Sequence, residues 1–170
     1  ILGESYGTFR NAGVMNYLLD KGYALNGVIM VSAVFDLRTL FFAPNEDLPY
    51  IVYLPTVAAT SWYHKKVGNP GSDLSAFVQQ VREFVEKEYA PALFKGNRIT
   101  AAEKSSIAKK LEGFTGITSA VWERADLRIT AGEYYQELLR EEGMTVGRLD
   151  SRYKGINLDP MAMSAFTDPQ

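Results

Sequence analysis

Gly3-Glu4-Ser5-Tyr6-Gly7 is the stretch of this chain whose residue types and spacing could do chemistry. The pattern G-x-S-x-G suits a hydroxyl presented at a sharp bend between a β-strand and an α-helix. Such a bend forces the serine into a strained backbone conformation with its Oγ pointing outward. The glycines two positions either side leave room where a Cβ would clash with neighbouring backbone. The helix N-terminus supplies free N–H groups and a macrodipole that favour developing negative charge. Ser5 is therefore expected to attack a carbonyl carbon, with the backbone N–H of Tyr6 as one oxyanion donor. The plainer reading, an accidental turn of small residues, fits the flanking sequence less well.

The flanking elements are those the motif requires. Ile1-Leu2 reads as the end of an apolar strand, and a helix is expected from about Tyr6 to Asp20, with Phe9, Val14, Tyr17 and Leu18 as its apolar stripe. Lys21-Gly22 closes it, the glycine suiting a left-handed position. Leu25-Asn26-Gly27-Val28-Ile29-Met30-Val31-Ser32 reads as a second strand, apolar on both faces in its second half like a central strand of a parallel sheet. Strand, helix and strand of this length form a βαβ unit.

After Asp36 the pattern becomes helical. Leu48 to Lys66 reads as helix interrupted by Pro49 and Pro55, and Gly68-Asn69-Pro70-Gly71 is a break. Ser72 is expected to cap a helix in which Leu74, Phe77, Val78, Val81, Phe84 and Val85 recur at helical spacing. Thr100 with Glu103 and Thr130 with Glu133 read as capping boxes, with a short helix carrying Trp122 between them, over Thr118 to Ala125. Thr145-Val146-Gly147-Arg148-Leu149 reads as a strand. The expected fold class is α/β. Residues 1–43 form part of a core with the serine bend, 44–144 a helical cap insertion, and 145–170 the start of a return to the core.

Composition narrows the chemistry. The chain has 170 residues, 46% of them hydrophobic, and a net charge of −2, so nothing in its electrostatics favours nucleic acid. One His and no Cys argue against a metal site and exclude disulfides. No cofactor is implied. No stretch approaches the roughly 20 apolar residues needed to cross a bilayer.

Gly3-Glu4-Ser5-Tyr6-Gly7, followed by a helix and then Leu25 to Ser32, resembles the serine carboxypeptidase family of the α/β-hydrolase superfamily. Pro49 to Pro55, Ala59 to Lys66 and Thr145 to Arg152 resemble a bacterial branch of it, so the similarity runs through nearly the whole chain. The resemblance implies a partial α/β-hydrolase, with strand, nucleophile elbow, helix and strand under a helical lid. It further implies hydrolysis of C-terminal peptide bonds through an acyl-enzyme on Ser5, with a His base and an orienting Asp. Glu4, before the nucleophile, falls where the family recognises the free C-terminal carboxylate of a peptide substrate. Two carboxyl groups can share such a site only if one is protonated, so activity is expected to favour acid conditions. The plainer reading of Glu4 is an ordinary strand-end carboxylate. An esterase or acyltransferase on the same scaffold, or a non-catalytic relic domain, are the alternatives.

The rest of the machinery is harder to place. The sole histidine, His64, precedes any later sheet strand, and a triad His belongs after the acid. It reads as a lid or surface residue. Asp36 follows the second strand, where some α/β-hydrolases put their acid, and Asp150 is more simply paired with Arg148 or Arg152. The chain opens at Ile1 within an apparent strand, as if cut, and the resemblance puts the catalytic Asp and then the His on later segments, expected outside it. Phe41, Phe42, Tyr50, Tyr53, Trp62 and Tyr63 could line a pocket under the lid or simply pack. Glu83 to Glu88 reads as a solvated helix face.

Overall fold

The computed structural model describes residues 1–68 and 70–156. The chain forms two compact units, Ile1–Phe41 and Phe42–Gln170.

The first unit is a βαβ arrangement. Strand β1 (Leu2–Glu4) runs into helix α1 (Tyr6–Asp20), and strand β2 (Ile29–Val31) returns parallel to β1 with Leu2 opposite Ile29, Gly3 opposite Met30 and Glu4 opposite Val31. Gly22, at φ 82°, takes the left-handed position expected at the end of α1. Two expectations are corrected. β2 has a single strand partner, β1, and Ile29, Met30 and Val31 are all exposed, so it is not a central strand among the described residues. The stripe on α1 is not its buried face either. Phe9, Val14 and Tyr17 are exposed, and the buried residues of the helix are Thr8 and Asn11.

The second unit is helical and holds the apolar core. Helix α2 (Leu48–Tyr63) runs continuously through both prolines. Pro49 lies in the first turn, where no helical donor is lost. Pro55 is interior, and its cost of about 3 kcal/mol is offset by packing of the face that buries Leu54, Ala58 and Ser61. Helix α3 (Leu74–Phe84) is capped by Asp73 and not by Ser72: the Asp73 carboxylate accepts from the amides of Ser75 at 2.9 Å and Ala76 at 3.2 Å. A π-helical turn at Val85–Tyr89 leads into α4 (Ala90–Lys95). Helices α5 (Ala101–Thr115), α6 (Ser119–Arg124) and α7 (Ala131–Glu137) follow, and both expected capping boxes, Thr100 with Glu103 and Thr130 with Glu133, are formed.

Phe77, Val81, Phe84, Leu93, Leu111 and Trp122 belong to the core of these helices. Two buried tyrosines are hydrogen-bonded within it, while the buried Trp62 Nε1 has no partner among the described residues. Tyr89 donates to the Leu127 carbonyl at 2.7 Å, and Tyr134 donates to the Val57 carbonyl while accepting from Ser61, both at 2.9 Å. Burial pushes both phenols well above their ordinary range. Strand β3 (Met144–Val146) forms near the expected place. It pairs antiparallel with β4 (Lys154–Ile156), closing a hairpin within this unit. Among the described residues no helix is long and apolar enough to cross a membrane.

Candidate active site

Ser5 stands where strand geometry gives way to helix in a single residue. Its N–H continues the β1–β2 ladder one step beyond Glu4, donating to the Val31 carbonyl at 2.9 Å. Its carbonyl already belongs to the first helical turn, accepting from the Thr8 amide at 2.9 Å and the Thr8 hydroxyl at 2.7 Å. Serving both elements forces the backbone to φ 51° and ψ −121°. For a residue with a Cβ, conformations of this kind cost about 1–3 kcal/mol and persist only where the surroundings over-determine them. The side chain makes no capping hydrogen bond to α1, and the residue is exposed.

Gly3 makes the close approach of helix and strand possible. A Cβ there would lie 2.5 Å from the Gly7 carbonyl oxygen and 2.6 Å from Asn11 Nδ2. The expectation that both glycines relieve a clash holds for Gly3 only. A Cβ on Gly7 meets nothing within 4 Å, so Gly7 contributes its carbonyl to the contact and needs no missing side chain.

Tyr6 is the first residue of α1, so its N–H is one of the helix donors without an intrahelical carbonyl. Its ring is exposed, 6.1 Å from that of Phe9. Glu4 ends β1 and is exposed. The three candidate residues Glu4, Ser5 and Tyr6 are thus consecutive at the carboxyl end of a parallel strand pair, the end at which open α/β sheets bind their ligands. The bend carries a carboxylate, a hydroxyl and a free helix N-terminal N–H on three consecutive exposed residues.

The other titratable candidates are engaged locally. Asp36 accepts from the Arg38 amide at 2.9 Å and from Arg38 Nη2 at 2.7 Å, capping a 3₁₀ turn at Leu37–Thr39. The Arg38 guanidinium and amide hold its carboxyl below the usual carboxylate range. Asp150 repeats the arrangement with the Arg152 amide at 3.1 Å and Arg152 Nη2 at 2.6 Å, and its pKa is lowered to about 2, chiefly by the Arg152 side chain. The shared signal is Asp-x-Arg. His64 ends α2, where its Nε2 donates to the Ser151 carbonyl at 2.7 Å and its ring meets that of Tyr63 edge-on.

Of the aromatic group, Phe42 packs against Tyr50 and Tyr53 with ring centroids 5.0 and 5.5 Å apart, and Trp62 packs on the helical core. A cavity of about 540 Å³ in the second unit is walled by Phe84, Phe114 and Gly113 and rimmed by the pairs Glu83–Lys87 and Glu88–Lys110. Among the described residues no group of three or more His, Cys, Asp or Glu could hold a metal ion.

Two residues at the bend were missed in the sequence, Thr8 and Asn11, because they are polar and lie off the apolar stripe. Their three-residue spacing, which puts them on one helix face starting from the serine, is the signal that could have found them. No family model, curated protein or solved structure matches this chain.

Proposed function

We propose that this chain carries the nucleophile of a serine carboxypeptidase-like α/β-hydrolase, with Ser5 attacking the C-terminal peptide bond of a peptide substrate. The observation that carries the reading is the backbone of Ser5 at φ 51° and ψ −121° between β1 and α1, with the residue exposed. An ordinary surface turn has no reason to hold a serine there.

In this reading Ser5 Oγ attacks the carbonyl carbon and passes its proton to a histidine base, while the developing oxyanion meets the Tyr6 N–H. The C–N bond then breaks, the departing amine takes that proton, and water hydrolyses the resulting ester on Ser5. Glu4 binds the free carboxylate of the substrate, with one proton shared between the two groups. In this reading none of His64, Asp36 and Asp150 serves as base or acid, because His64 is engaged by Ser151, Asp36 by Arg38 and Asp150 by Arg152.

The test compares a peptide with its C-terminal amide as substrates of the full-length protein. Preference for the free carboxylate is expected. Equal turnover of both, or turnover of esters alone, points to an esterase or acyltransferase. A folded protein that turns over none of them is a non-catalytic relic of the fold.

A further inference from the structure

Among the described residues of the first unit, three are buried: Gly3, Thr8 and Asn11. All three are spent on the bend that holds Ser5. Thr8 and Asn11 are each 3% exposed, and they are the only buried residues of α1. A helix on a sheet ordinarily buries its apolar stripe. Here the buried positions are a hydroxyl and an amide, and every hydrogen bond they make goes to backbone at the bend or beside it.

The Thr8 hydroxyl has one proton and free lone pairs, and it uses both functions. It donates to the Ser5 carbonyl at 2.7 Å and accepts from the Val34 amide at 3.1 Å. Val34 lies just beyond β2, past Ser32, which is itself held at φ 48°. One side chain therefore ties the strained serine to the segment leaving the neighbouring strand. Asn11, one turn further along α1, donates from Nδ2 to the Leu2 carbonyl at 2.8 Å, fixing the helix to β1 ahead of the bend. Its amide also fills the space that a Cβ on Gly3 would need.

We propose that Thr8 and Asn11 are positioning residues for the nucleophile: they hold the Ser5 backbone in its strained conformation and so keep Oγ aimed away from the helix. The inference rests on Ser5 being the nucleophile. A strained residue relaxes when its restraints go, and relaxation here turns the hydroxyl toward the vacant N-cap role at the start of α1. Orientation errors of this size lower the rate of the chemical step and leave substrate binding almost untouched.

The test measures fluorophosphonate labelling of Ser5, kcat and KM in the full-length protein, and amide hydrogen exchange at Val34. It uses Thr8→Val, which keeps the shape and removes the hydroxyl, Thr8→Ser, which keeps the hydroxyl, and Asn11→Leu. Thr8→Val is expected to slow labelling and kcat roughly 10- to 100-fold with KM nearly unchanged, and to lose protection at the Val34 amide. Thr8→Ser should restore all three. Asn11→Leu should slow labelling with Val34 still protected. Folded Thr8→Val that labels at the parent rate overturns the positioning role while leaving Ser5 as nucleophile. A parent protein that never labels overturns the nucleophile reading and the positioning role with it, whatever Val34 does. Unaltered exchange at Val34 in Thr8→Val overturns the Thr8 clamp on its own.

Discussion

The β-position of Gly3 lies 2.5 Å from the carbonyl oxygen of Gly7, a distance at which no methyl group can stand. Because the obstruction is helix backbone, it cannot be relieved by a side-chain rotation. Gly3→Ala is therefore expected to destabilise the first unit by about 1–3 kcal/mol, the usual cost of overpacking, and to disturb Ser5. Gly7→Ala meets open space inside a helix and should stabilise by about 1 kcal/mol. Chemical denaturation of the two variants beside the parent checks the opposite signs.

On the proposed reading Glu4 controls substrate choice. Glu4→Ala then removes the partner of the substrate carboxylate, so the preference for a free acid over its amide is expected to fall roughly 10-fold or more. Glu4→Gln keeps a hydrogen-bond donor and should retain the preference. Steady-state rates on the peptide and its amide separate the two variants.

His64 is expected to be structural. Its Nε2 donates to the Ser151 carbonyl at 2.7 Å, close to the Thr60–Ser151 hydroxyl pair at 2.8 Å, so it holds the loop of the β3–β4 hairpin on the end of α2. His64→Ala should cost about 1 kcal/mol and loosen hydrogen exchange in the hairpin, with Ser5 labelling unchanged. A large loss of labelling in a folded His64→Ala protein would make it the base.

The N-terminus of α5 should weaken in acid. Lys95 and the Thr100 amide and hydroxyl hold Glu103 at about 2, below its ordinary 4.5. A depressed carboxylate contributes stability that is present above the unfolded value and lost as pH falls through the folded one. The loss should therefore span pH 4.5 down to about 2. Glu103→Gln should flatten this part of the stability profile, read as the denaturation midpoint at several pH values.

The sequence reveals those features whose determinants are local. Helix α1 spans Tyr6–Asp20 as expected, because the bend motif marks its start and Lys21-Gly22 its end. Both capping boxes formed because each needs only two residues three apart. What could not be read depends on partners. Hydropathy put the buried face of α1 on Phe9, Val14 and Tyr17, whereas hydrogen bonds from Thr8 and Asn11 to the bend select the opposite choice. Ser72 and Asp73 are equally good caps by type, and only the extended backbone of Asp73 lets it reach the amides of Ser75 and Ala76. Pro55 looked like a break because its offsetting contacts lie in distant segments of the core. The pairing of Asp150 was legible in the sequence, and that of Asp36 follows from the same signal, an arginine two residues on.

Whether Ser5 is a nucleophile is decided most directly by treating the folded, full-length protein with a fluorophosphonate and mapping the adduct by mass spectrometry. The expected result is a single phosphonylated site at Ser5, absent in Ser5→Ala. A folded protein that carries no adduct at Ser5, or carries it elsewhere, contradicts the account.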